Sequence, residues 1–348
     1  MSTMDKITSL VLMPRESGKF IAQSASNVFV KTEGVKELAS EILENLKNGR
    51  ISIKNFSQHS LHPSPHDRKV FDWLLVLDSL NFCFWSDKAL LPKKWKVNGQ
   101  SGYFALCAAI KRAVEEGVPI TDAAFLSKVT EEEVRRILRP DEDSAETPLM
   151  KKRVENLNEI GRVLLDKYNG TFKECVKACN NSAEKLLKFI VTDFPCFRDE
   201  AVYKNQRVSF YKRAQILIGD IWACFNGKDL GEFKDIDYIT MFPDYRVPQV
   251  LLHYGTMEYS HSLMEKLLSE DELPHGSEEE IEIRGCSIEA VERVVKETRY
   301  LIENDTTSDL RGLDCNSILV DHFLWDYRRK YAKELETVPY HKTRTIFY

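Results

Sequence analysis

Thirteen residues, Tyr238-Ile239-Thr240-Met241-Phe242-Pro243-Asp244-Tyr245-Arg246-Val247-Pro248-Gln249-Val250, set a carboxylate and a guanidinium two positions apart between two prolines. Proline fixes φ and lacks an amide donor, so neither a regular helix nor a central strand is expected before Pro248. Pro248 fits the first turn of a helix that continues through Val250, Leu251 and Leu252. Asp244 and Arg246 are therefore expected on a stiff loop just ahead of a helix N-terminus, where bare amides suit an anion. A carboxylate held this way could stabilise a developing cation or take a proton from water. The same two side chains could instead pair and tie down the loop, and spacing alone favours that structural role.

Four other segments combine polar and aromatic groups. In Asp193-Phe194-Pro195-Cys196-Phe197-Arg198-Asp199-Glu200, Phe197 could stack on a flat base while Asp199 accepts from ring N–H groups. The alternative is a solvated turn with Phe197 in the core. Leu80 to Asp87, followed by Tyr103, offers Asn81, Phe82, Trp85 and Tyr103 as a stacking pocket or as an aromatic corner of the core. Lys212 and Arg213 open an apolar helix and point about 100° apart, so only one need face a ligand; both could equally snorkel at a helix end. Asp321 and His322 form an acid–imidazole pair in an aromatic setting, where a histidine is more often structural. No Walker, GxGxxG, HExxH or GxSxG pattern is present, which excludes the commonest readings as nucleotide hydrolase, dehydrogenase, zinc protease or lipase.

The elements that must position these residues are mostly helical. Apolar periodicity predicts helices over Val35–Leu46, Val70–Phe84, Tyr103–Glu116, Ser182–Ile190, Phe210–Cys224 and Ile288–Leu301, with another around Val154–Leu164. Thr130-Glu131-Glu132-Glu133 has the form of a capping box. With Thr121–Lys128 it reads as two packed core helices rather than a DNA reader, because three glutamates would repel phosphates. Val28–Val30 is a short candidate strand, and the alternation of Glu278–Arg284 predicts a second. The charged stretch 141–147 is the candidate boundary between subregions 1–140 and 148–348 of one domain.

Apolar residues make up 43% of the 348, enough for a sizeable core. The net charge of −5 disfavours a general nucleic-acid binder but leaves room for a small anionic ligand. Eight cysteines without a CxxC pair, mostly within apolar runs, read as buried thiols in a reducing compartment, the cytoplasm or else the nucleus. Met1–Leu12 does not read as a signal peptide, and no apolar run is long enough to span a membrane. Oligomeric state is not legible.

At these same segments the chain resembles the queuosine salvage family. The resemblance rests on PRESGKFIA (Pro14–Ala22), LNFCFW (Leu80–Trp85), GYFALCAAIKRA (Gly102–Ala113), FPCFRDE (Phe194–Glu200), FYKRAQIL (Phe210–Leu217) and TMFPDYRVPQVL (Thr240–Leu251), with VDHFLWD and HKTRTIFY near the C-terminus. It covers essentially the whole chain, and departs at Pro243, where a small residue such as alanine is expected. It implies a mainly α fold similar to helix-hairpin-helix DNA glycosylases, with a few short strands. The implied activity is hydrolysis of queuosine 5′-monophosphate to queuine and ribose 5-phosphate, without metal or cofactor, on a nucleotide rather than on nucleic acid. Under it, Asp244 acts on the ribosyl cation or on water, and Asp199 grips the base edge with Phe197 or Tyr103 stacking. Lys212 with Arg246 or Arg213 holds the 5′-phosphate. Asp78 or Asp321 meets the ammonium of the base, and Tyr245, Asn81, Phe82, Trp85 and His322 complete the binding set. A non-catalytic queuine carrier and a tRNA-binding module are the rival readings.

Overall fold

The computed structural model describes residues 8–86, 93–305, 310 and 312–348. Asp87, at the end of the aromatic segment, lies outside them. Helices dominate the described residues and the strands are short, which is the mainly α class expected. By packing, the chain forms two compact units, each assembled from separated pieces. The first takes the described residues up to Ser52, Asp199–Lys212 and those of Ile239–Arg344; the second takes those of Ile53–Arg198, Arg213–Tyr238 and Thr345–Tyr348. The units do not divide at 141–147, as the charge run suggested. That stretch lies inside the second unit, where the Asp141 carboxylate accepts from the amides of Asn98 (2.9 Å) and Gly99 (2.8 Å) and Thr147 is buried.

The first unit is built around the long helix Glu278–Asn304. Its opening residues are those whose alternation predicted a strand, and the structure corrects that reading. Ser277 Oγ accepts from the Glu280 amide, and three glutamates fill the first turn, where the positive end of the helix dipole favours acids. Glu280, Ile281, Glu282, Ile283 and Arg284 are all buried, so the alternation reports no solvent face. Glu282 instead accepts from the amides of Ser26 and Asn27 and from the Tyr203 hydroxyl. The helix Pro14–Ser24 crosses it at close range. A Cβ on Gly285 would lie 2.5 Å from Ile21 Cδ1, so the crossing requires glycine there.

Val28–Val30 is a strand, as expected, and pairs antiparallel with Met257–Tyr259. A hairpin has the larger consequence for the site. Glu200–Tyr203 and Gln206–Ser209 pair antiparallel through the two-residue turn Lys204-Asn205, both residues at positive φ, which matches the right-handed twist of the strands. Val11–Leu12 adds in parallel to Gln206–Ser209. The hairpin folds Asp199 back onto Lys212, thirteen residues away.

In the second unit the helix Met150–Lys167 packs against Val70–Leu80, Ala123–Leu126 and Glu131–Ile137. The capping box forms as read: Thr130 Oγ1 accepts from the Glu133 amide, and the Glu133 carboxylate accepts from the Thr130 amide at 2.8 Å. Val70–Leu80 is buried along its full length and stops short of Phe84. The Arg153 guanidinium captures the carbonyls of Leu80 (2.6 Å) and Phe82 (2.7 Å), which a continued helix would have used, and Cys83 turns at φ 44°. All eight cysteines are buried, and none of them forms a disulfide among the described residues. Among the described residues no helix is long and apolar enough to cross a membrane.

Candidate active site

In the first unit the helix Val247–His253 carries Pro248 in its first turn, as the sequence required. Asp244 sits just before it. Its Oδ1 accepts from the amides of Arg246 (2.7 Å) and Val247 (2.8 Å), two of the donors that a helix start leaves without intrahelical partners. Among the described residues no hydrogen bond reaches Oδ2, and the residue is only half-buried. One oxygen is thus fixed by the backbone and the other is available. The Asp244–Arg246 side-chain pair, the simplest structural alternative, does not form among the described contacts. The Arg246 guanidinium lies 3.9 Å from the centre of the Tyr340 ring and donates to Gln249 Oε1 at 3.1 Å. Buried Gln249 also accepts from Arg328 Nε (2.7 Å) and donates to the carbonyls of Leu335 and Val338. It therefore holds two guanidinium groups near one point. Burial, with the charge of Arg246 adding to it, lowers the Arg328 guanidinium to about 10. Tyr245 is buried against Tyr340, their ring centres 5.7 Å apart.

Asp321, on the helix Ser317–Lys330, is buried and braces the same loop by accepting from the Phe242 amide at 2.9 Å. Desolvation raises its carboxyl well above the ordinary carboxylate range. The negative charge of Asp244 raises it further, while the Phe242 hydrogen bond and Lys212 oppose. Asp244, Asp321 and Lys212 are therefore electrostatic neighbours. His322 is half-buried with its ring 6.3 Å from Phe242, and desolvation lowers its imidazole to about 4.

Asp199, expected from the resemblance to grip a base edge, is held inside the fold. The residue is 1% exposed. Arg284 Nη1 and Nη2 donate to its two oxygens at 2.8 and 2.5 Å, and the Lys212 amide donates to Oδ2 at 3.1 Å. Lys212 itself is buried at the start of its helix.

The second unit holds the aromatic candidates. Phe82 and Phe197 are each 1% exposed. The Arg153 guanidinium lies 4.3 Å from the Phe82 ring centre, and Arg213 lies 5.3 Å from Phe82 and 4.8 Å from Phe197. Both rings are covered, with guanidinium groups beside them. Arg213 donates to the carbonyls of Asp78, Ser79 and Cys196 and is 1% exposed. Asn81 donates to Asp78 Oδ1 at 3.3 Å, and Trp85 is buried. Tyr103 is half-buried, its hydroxyl 3.1 Å from His62 Nε2 and 3.5 Å from Asp220 Oδ2. Burial first, and Asp220 next, push this phenol well above its usual range.

Sequence reasoning missed Arg284, Gln249, Arg328, Asp220 and His62. A lone charge inside an apolar run was the available signal for Asp220, whereas Arg284 follows four glutamates and no local pattern singles it out. The histidine-bearing loop 59–66 was the signal for His62. Among the described residues no group of three or more His, Cys, Asp or Glu is placed to hold a metal ion.

Comparison with known proteins gives one consistent result. A family model described as queuosine salvage protein matches residues 61–348. A Bos taurus protein named queuosine 5′-phosphate N-glycosylase/hydrolase is 43% identical over 344 residues, covering 97% of this chain and 99% of its own length. Proteins of the same name from Nematostella vectensis (41% identical, 98% of this chain and 100% of the relative) and Sphaerobacter thermophilus (40%, 94% and 95%) are similar to it over nearly the same extent.

Proposed function

The chain belongs to the queuosine salvage family, and from that membership we propose that it hydrolyses the N-glycosidic bond of queuosine 5′-phosphate, with Asp244 acting on the sugar side of that bond. It is an N-glycosylase, and its substrate is a small nucleotide. The base released is a 7-deazaguanine, which lacks the N7 that a purine glycosylase can protonate. Catalysis must therefore rest more heavily on the ribosyl cation and on contacts to other atoms of the base. One observation carries the reading of Asp244: its Oδ1 is pinned by two amides while Oδ2 remains available on a half-buried residue. A carboxylate oriented in advance stabilises an oxocarbenium-like transition state without reorganising, and it can also orient or deprotonate the attacking water.

Asp321 supports this assignment by holding the loop and by keeping its proton to higher pH, so that two adjacent acids need not both be charged. Lys212 and Arg246 are the cations proposed for the 5′-phosphate, because Nη1 and Nη2 of Arg213, itself 1% exposed, donate to backbone carbonyls. Binding the phosphate uses interaction energy remote from the scissile bond to position the reacting carbon. Buried cysteines outside any disulfide and an acidic net charge support a cytoplasmic enzyme acting on free nucleotide rather than on tRNA.

The decisive experiment incubates purified protein with queuosine 5′-monophosphate and follows free queuine by chromatography. Release by the wild type and not by folded Asp244→Asn supports the assignment. Binding without release by the wild type would make the protein a carrier.

A further inference from the structure

We infer that Arg284 is the positioning residue that fixes the Asp244 loop, with Asp199 as its anchor. The inference rests on the reading of Asp244 given above. Arg284 is 0% exposed, in the second turn of the long helix Glu278–Asn304. Its guanidinium is divided between two tasks. Nη1 and Nη2 form a fork on the Asp199 carboxylate, and Nε donates to the carbonyl of Pro243 at 3.0 Å. Pro243 immediately precedes Asp244. A third contact, Nη1 to Glu280 Oε1 at 3.4 Å, ties the group to its own helix, and the Phe210 ring lies 4.1 Å from Cζ. Apart from the loop, three groups hold the guanidinium: the Asp199 carboxylate, Glu280 and the Phe210 ring.

The loop needs such a support. Pro243 has no amide to donate, so its peptide is held through its carbonyl. On the other side of Pro243, Asp321 accepts from the Phe242 amide, while Asp244 Oδ1 is held by the start of the helix Val247–His253. Arg284 supplies the constraint between these two. A planar fork with fixed donor directions can hold Asp199 and the Pro243 carbonyl together, whereas a lysine ammonium on a flexible stem lacks that fixed fork. Asp199 is itself fixed: its carbonyl accepts from the Phe210 amide at 3.0 Å, closing the hairpin, and its carboxylate accepts from the Lys212 amide. The acid that the sequence offered for a ligand thus anchors the arginine that orients the acid on the loop.

The test compares Arg284→Lys, which keeps the charge and loses the fork, with Asp199→Asn/Arg284→Gln, which removes both charges together and leaves neither one buried alone. Thermal unfolding identifies the temperature at which each variant is folded, and kinetics are read below it. The expected result is a fall in kcat of about a hundredfold, the scale of an ångström-sized misplacement of a reacting group. KM for queuosine 5′-monophosphate should stay within about threefold, since binding contacts are retained. Adding Arg284→Lys to Asp244→Asn, measured by single turnover, should cost nothing further, because the arginine acts through that carboxylate. Wild-type kcat in either folded variant, or a loss that multiplies that of Asp244→Asn, overturns the positioning role. Full turnover by Asp244→Asn alone overturns the reading of Asp244 instead, so the two failures are distinguishable.

Discussion

The Asp244 loop of the first unit and the Phe82 core of the second are built from the same kinds of residue, acids, arginines and aromatics, yet they end in opposite states. Around Phe82 every strong donor is turned inward. Arg153 and Arg213 lie over the rings and donate to backbone carbonyls, and the rings are covered. Around Asp244 the hydrogen bonds constrain a group without using it up: two amides and a helix start fix one oxygen while the other stays available. The lesson is that polar and aromatic residues mark either a cemented core or a reactive site. What separates them is whether any group is left with unused capacity on an accessible face.

The largest expected effect tests that unused capacity directly. Asp244→Asn keeps an oxygen able to accept from the amides of Arg246 and Val247, and should fold normally. It should lose about a thousandfold in turnover, or about 4 kcal/mol of transition-state stabilisation. Near-wild-type queuine release would place Asp244 with the structural acids and erase the contrast. The opposite behaviour is expected of Arg213→Met. That change leaves three buried carbonyls without their donor and should cost about 3 kcal/mol of stability in urea unfolding; a stable variant would show the core is not cemented as described. Arg246→Lys sharpens the boundary between the two cases. It replaces the planar guanidinium beside the Tyr340 ring with a point charge on a flexible stem, and KM for the 5′-phosphate should rise about tenfold with a smaller change in kcat. An unchanged KM would remove Arg246 from the phosphate set.

The smallest effect concerns Asp321, which belongs to the site but is buried like the core. The folded protein holds its carboxyl well above 3.8, so the unfolded chain releases that proton first. Stability then falls as pH rises from 3.8 through the folded value. Asp321→Asn removes the titration, so its stability relative to wild type should improve as pH rises across that window in parallel urea titrations. A flat difference would mean Asp321 is ionised in the fold.

Much of this was written in local sequence. Two prolines and a following apolar run determined that Asp244 would precede a helix, and Thr130 with Glu133 determined a capping box, because caps and proline geometry depend on neighbours within a few residues. The burial of the cysteines followed from their apolar flanks. Tertiary structure decided the rest. Glu278–Arg284 is helical although it alternates: Glu280, Ile281, Glu282, Ile283 and Arg284 are all buried, so the alternation carries no message about a solvent face. Asp199 faces Arg284, Phe197 lies under Arg213, and Arg284 reaches Pro243, because a hairpin and a long helix join residues tens of positions apart. A residue's type and spacing determine what chemistry it can perform; whether it is free to perform it depends on partners that only the folded chain brings within reach.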